Sequence, residues 1–166
     1  SPKQLELLTA DQLRRHPHLT RLGPDLLGAD LSAAAFDIPA AVARFRARNR
    51  LPLGEAVMNQ TIVSGIGNVY KSDLLFLMGF DPFAPVERFT DAELAAMIEL
   101  ARKLLAKNLT GAPRQTRFRG DGRRLWCYGR SGQACYKCGA TIRLRRQGEA
   151  GRTTCWCPQC QPARQR

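Results

Sequence analysis

The chain has 166 residues, with 26 Lys and Arg against 14 Asp and Glu, a formal charge of +12 and 44% hydrophobic residues. That length can bury one core of roughly 100 residues, plus a small satellite that needs a staple to hold it. No apolar run approaches the roughly 20 residues of a membrane span and no signal peptide opens the chain, so a membrane role is not expected. The expected setting is the cytoplasm, where thiols stay reduced and six cysteines favour metal over disulfides.

The charge is uneven. Between Gly111 and Arg166 thirteen basic residues face two acids, Asp121 and Glu149, so +11 of the total lies in the last third. Such asymmetry points to a polyanionic partner engaged from the C-terminal side.

Residues 1–20 read as a lead-in, in which QLELL has strand character but no second strand nearby to pair with. The chain opens on Ser-Pro without an initiator Met, and the lead-in is expected to be the remnant of a longer protein. His16 and His18 flank Pro17 with no Cys or acidic cluster beside them, so no metal role is expected for them.

Residues 21–111 form the expected helical domain. AAVARFRARNR places Ala41, Val42 and Phe45 on one side of a short helix and Arg44, Arg46, Arg48 and Arg50 largely on the other. A second short helix is expected over Leu53–Gln60, and a third from about Asn68 to Gly79, whose glycine suits a C-terminal cap. The clearest helix runs from Asp91 to about Asn108. Thr90 to Glu93 is a capping box, and Leu94, Met97, Ile98, Ala101, Leu104 and Leu105 recur at helical spacing.

Residues 112–130 lack a helical period and are expected to be a mobile basic loop. Residues 131–162 then carry two knuckles, Cys135-Tyr136-Lys137-Cys138 and Cys157-Pro158-Gln159-Cys160, and residues 163–166 are a tail. Two C-x2-C pairs at that separation predict one structural zinc on Cys135, Cys138, Cys157 and Cys160. Replacing Cys157 by Cys155 would make a looser C-x4-C pair. Between the knuckles, IRLRRQGEAGRTTCW reads as a basic hairpin turning at Gly148–Gly151, with Arg143, Arg145 and Arg146 on one strand and Arg152 beside the turn. Trp126, Tyr128 and Trp156 are expected to wrap the zinc module, with stacking on exposed bases as the alternative.

The other candidate site is QTIVSGIGNVYKSDLLF, residues 60–76. A helix that opens at Gly67-Asn68 offers free N–H groups to a phosphate, and Gly67 lets a backbone approach closely. Asn68 can add a donor, and Lys71 lies one turn further on. The competing reading makes Asn68 an ordinary N-cap.

QTIVSGIGNVYKSDLLF, followed by YGRSGQACYKCG and GRTTCWCPQCQ, resembles the C-terminal half of the formamidopyrimidine-DNA glycosylase/endonuclease VIII family. The resemblance runs from about Leu22 to Gln161 and implies a mainly α fold: a helix-two-turn-helix domain followed by a zinc-stapled β-hairpin. It implies Asn68 and Arg152 as phosphate contacts on double-stranded DNA, damaged or abasic, with Arg117, Arg119, Arg143 and Arg145 as further possible contacts. It also implies a monomeric base-excision-repair glycosylase and abasic-site lyase working on nucleoid DNA, with oxidised pyrimidines favoured. Members begin with a catalytic Pro-Glu; here Pro2 follows Ser1 and precedes Lys3, so the expectation is DNA binding without catalysis. The alternative is a stand-alone zinc ribbon that binds nucleic acid or protein.

Overall fold

The computed structural model describes residues 7, 9–16, 19–28, 36–109 and 111–164. Among the described residues, five helices precede one hairpin: α1 Ala10–Arg15, α2 Ile38–Arg46, α3 Leu53–Ala56, α4 Asn68–Met78 and α5 Asp91–Ala106, then β1 Arg143–Gln147 and β2 Arg152–Trp156. A 3-10 turn, Val86–Arg88, leads into α5.

The local signals act where they stand. Thr90 accepts from the Glu93 amide at 3.2 Å and Glu93 Oε2 accepts from the Thr90 amide at 2.7 Å, which starts α5 by pairing two otherwise orphaned donors. Gly79 ends α4 with φ of 69°, in the left-handed region that a side chain resists. Asp37 caps α2 through the Ala40 amide at 2.8 Å, with Pro39 in the first turn.

The larger core joins α2, α3, α4 and α5. Ala41, Val42 and Phe45 meet Leu94, Met97, Ile98, Ala101, Leu104 and Leu105, together with Leu74 and Leu75 of α4. A second, smaller core contains Phe76, Trp126, Cys127, Ile142 and Cys155. Both cores therefore draw on α4, whose residues Tyr70 to Phe76 are all buried. A helix covered on every side is a central post, and the hairpin is built against it.

Three expectations change. The second helix stops at Ala56, and the chain continues through turns to Gln60. The lead-in holds a short helix, α1, entered through reciprocal bonds between Thr9 and Gln12; the strand expected at residues 4–8 lies outside the described residues apart from Leu7. "Mainly α" fits residues 38–106 but not the whole chain. From Asn108 to Ile142 the described residues form neither helix nor strand, beyond an isolated bridge between Ala134 and Thr141.

Candidate nucleic-acid interface and metal centre

The two knuckles converge. Cys135 donates its amide to Ala140 O at 2.8 Å, and Gly139, at φ of 78°, returns its amide to Cys135 O at 3.0 Å, so the first knuckle closes on itself. In the second, Gln161 reaches back and accepts from the Cys157 amide at 3.0 Å. All four thiol sulfurs lie within 4.8 Å of one another, with Cys135 to Cys160 at 3.8 Å and Cys138 to Cys157 at 3.4 Å. A tetrahedron of thiolates at about 2.3 Å from zinc has edges of about 3.8 Å, so the donor set fits one zinc ion. The Ala140 amide lowers the Cys138 thiol to about 7, whereas burial holds the Cys157 and Cys160 protons on more firmly. Ligation requires all four as thiolates, and binding must displace those protons. Cys155 stays outside the cluster: its carbonyl lies 3.3 Å from Cys127 Sγ, and burial raises both of these thiols. They are packing groups in the second core.

The glycine turn before α4 is built by Gln60. Its side-chain oxygen accepts from the Gly65 amide at 3.2 Å, and its amide donates to Met58 O and Ile66 O at the same distance. Gly65 has φ of 107°, which a side chain could not adopt without strain. The N-cap is Gly67 rather than Asn68, and no side chain caps the helix. A Cβ on Gly67 would meet nothing within 4 Å, so the first turn of α4 opens on free space. Eleven residues of aligned peptides stand behind those N–H groups, an arrangement that attracts an anion.

Asn68 is the first residue of that helix, and its Nδ2 donates to Thr153 Oγ1 of β2 at 3.0 Å. Its Oδ1 is buried with no partner among the described residues. Arg152, next to Thr153, is exposed at the start of β2 and stands opposite Gln147 in the hairpin register. The fold thus brings Gly67, Asn68 and Arg152 together from positions more than 80 residues apart. Arg143 and Arg145 are exposed on β1, with Arg145 4.7 Å from the Phe83 ring centre. Arg119 is exposed as well.

Two expected contacts do not reach the surface. Lys71 is 1% exposed and turned into the hairpin, where Nζ donates to Thr153 O at 3.0 Å and Thr154 Oγ1 at 2.9 Å. Burial pulls its pKa down to about 8. Arg117 is 8% exposed and packs its guanidinium against Trp126 at 5.0 Å and Tyr136 at 4.9 Å, while pairing with Asp121. Of the aromatic residues expected to wrap the zinc module, Trp126 is buried and Tyr128 and Trp156 are half-buried. Trp126 lies beside Phe76 at 5.7 Å, and Trp156 meets Phe83 edge-on at 4.8 Å.

Sequence reasoning missed Asp73. This carboxylate, fully buried in α4, accepts from the Trp126, Cys127 and Tyr128 amides at 2.8, 2.9 and 2.9 Å and from the Thr116 hydroxyl. It therefore ties down the stretch expected to be a mobile basic loop, which also folds on itself through Thr116 and Arg117 amides bonded to Arg124 O. The available signal is an acid with apolar residues one helical turn away on both sides, Val69 and Tyr70 before it and Phe76 and Leu77 after it.

These parts define a class: a helix-two-turn-helix protein whose central helix carries a four-cysteine zinc hairpin. Residues 27–119 match the formamidopyrimidine-DNA glycosylase H2TH domain. The chain is 41% identical over 158 residues to the "Probable endonuclease 8 2" of Streptomyces coelicolor, covering 93% of this chain and 54% of that protein. It is 40% identical over 145 residues to the DNA-(apurinic or apyrimidinic site) lyase Nei2 of Mycolicibacterium smegmatis, covering 86% and 53%. Among solved structures, the MutM (Fpg) protein of Thermus thermophilus superposes with a TM-score of 0.71 at 30% identity, over 90% of this chain and 57% of that one. The chain belongs to the formamidopyrimidine-DNA glycosylase/endonuclease VIII family, and the two curated relatives support a leaning to its endonuclease VIII branch. It spans about half the length of the curated relatives it matches.

Proposed function

We propose that this chain is the DNA-gripping half of a base-excision-repair glycosylase and abasic-site lyase that removes oxidised bases, with pyrimidines favoured. The observation that carries the reading is the juxtaposition of an uncapped α4 N-terminus with Arg152, joined by the Asn68 to Thr153 bond. Two phosphate-seeking elements on one frame suit the backbone of double-stranded DNA. Relatives solved with abasic-site DNA and with DNA containing carbocyclic 8-oxo-G share the fold and support that partner. Gly67, Asn68 and Arg152 take phosphates flanking the lesion, and Arg119, Arg143 and Arg145 add a diffuse positive field.

The chain supplies grip rather than chemistry, and acts as a monomer on nucleoid DNA in the cytoplasm. The stand-alone ribbon is the poorer fit, because the hairpin shares its core and hydrogen bonds with α4. Fluorescence anisotropy on a duplex carrying an abasic-site analogue, against the intact duplex, tests the reading. Salt-sensitive binding is expected, without strand cleavage. Arg152→Ala should weaken binding and reduce the magnitude of the salt slope by about 0.9. Asn68→Ala should weaken binding with the slope unchanged, because a neutral donor releases no counterion. Full affinity in both variants refutes the assignment.

A further inference from the structure

The burial of Lys71 calls for an account. Burying an ammonium is costly unless polar groups receive it, and a helix post needs no charge for packing alone. Here the receivers are specific. Nζ donates to Thr153 O and Thr154 Oγ1; the Thr154 hydroxyl donates to Gln147 Oε1 at 2.8 Å; and Gln147 Nε2 donates to Pro82 O at 2.8 Å. The chain of bonds starts on α4, crosses both strands of the hairpin at its turn end, and finishes on the segment before the 3-10 turn. Asn68, one turn earlier on α4, holds Thr153 from the other side.

Arg152 is the residue next to Thr153, and its Cα partner across the hairpin is Gln147. Among the described residues the Arg152 side chain makes no hydrogen bond or ion pair, so where it stands depends on the backbone of β2. That backbone is held by the ladder to β1 and, at the next two residues, by the bonds from Lys71. Gly54 completes the seat: a Cβ there would lie 2.5 Å from Gln147 Oε1 and 2.9 Å from Pro82 O, so the hairpin can come this close to α3 only because position 54 has none.

We propose that Lys71 is a positioning residue for DNA binding, a buried strut that sets the spacing between the α4 N-terminus and Arg152 so that both meet one DNA backbone in a single register. This rests on the phosphate-grip reading above. Its advantage is preorganisation, since two contacts on one rigid frame do not each have to be ordered on binding.

The test is a double-mutant cycle in the zinc-loaded full chain, reading affinity for the abasic-analogue duplex. Lys71→Met should bind about tenfold more weakly than the parent, but lose less than about twofold when added to Arg152→Ala, because a strut acts through the residue it holds. A residue contacting DNA on its own, or one contributing only to stability, would show the same loss in both backgrounds, and that result overturns the proposal. Thr154→Val removes one of the two acceptors of the Lys71 ammonium and the link to Gln147, and leaves the bond to Thr153 O in place. It serves as the second variant should Lys71→Met shed zinc, and the same non-additivity is expected of it. An Arg152→Ala change that leaves affinity intact overturns the phosphate grip and the strut together; a weakened Arg152→Ala with additive Lys71→Met overturns the strut alone.

Discussion

Removing the Asp73 carboxylate should detach the 116–128 stretch from α4 before it disturbs the helical core. Its two oxygens satisfy two buried amides, one half-buried amide and one hydroxyl, contributed by residues 43 to 55 positions away. Each buried donor left without a partner costs about 1–3 kcal/mol. Asp73→Ala strands the three amides and opens a small void, so a loss of about 4–6 kcal/mol is expected, a large part of a domain's total of roughly 5–15. Asp73→Asn keeps the shape and one oxygen; its NH2 replaces the oxygen shared by the Trp126 amide and the Thr116 hydroxyl, of which only the hydroxyl can turn to accept, and the change recovers part of the cost of burying a charge. Its expected loss is about 2–3 kcal/mol. Urea unfolding followed by circular dichroism gives the magnitudes, and amide hydrogen exchange gives the location. Protection should vanish first at Trp126, Cys127 and Tyr128 while the α5 amides hold. An Asp73→Ala protein within about 1 kcal/mol of the parent, with those three amides still protected, would refute the reasoning.

Other consequences can be measured on the same protein. Chelating zinc should melt the hairpin and red-shift the fluorescence of Trp126 and Trp156, while most helical ellipticity survives in the core of α2, α4 and α5; loss of all helix signal would show that the two cores fold as one unit. Gly54→Ala should cost about 1–3 kcal/mol by thermal unfolding, because the added Cβ meets the Pro82 carbonyl as well as a movable side chain, and it should weaken DNA binding by displacing Gln147. Lys71 gives a pH signature. Burial holds its pKa at about 8 against an ordinary 10.5, with Cys155 and Glu55 favouring the charge and Arg152 opposing it. Between those values the unfolded chain binds a proton that the folded chain does not, so stability should rise with pH from about 8 to 10.5. Lys71→Met should lack that component of the rise in denaturant midpoints measured across the range.

Whatever depends on neighbours a few residues apart is written in the order of the amino acids. The Thr90–Glu93 box, the Gly79 cap, the six apolar positions of α5, the turn between Gln147 and Arg152 and the two C-x2-C knuckles were all legible, because a cap, a helical period or a tight turn is decided within one turn of chain. The helix expected over Leu53–Gln60 stops at Ala56; local propensity carries no record of Gln60 being needed to brace the Gly65 turn. The fate of individual charges is settled by packing between distant segments. Lys71, Arg117 and Asp73 are ordinary polar residues in a string of letters, and each is buried here because its partners arrive from elsewhere in the chain: Thr153 and Thr154 for Lys71, the Trp126 and Tyr136 rings for Arg117, and the 126–128 amides for Asp73. Whether a charge meets solvent, a phosphate or a buried acceptor is set by what lies across the space it points into, and that space exists only once α4 has both cores packed around it.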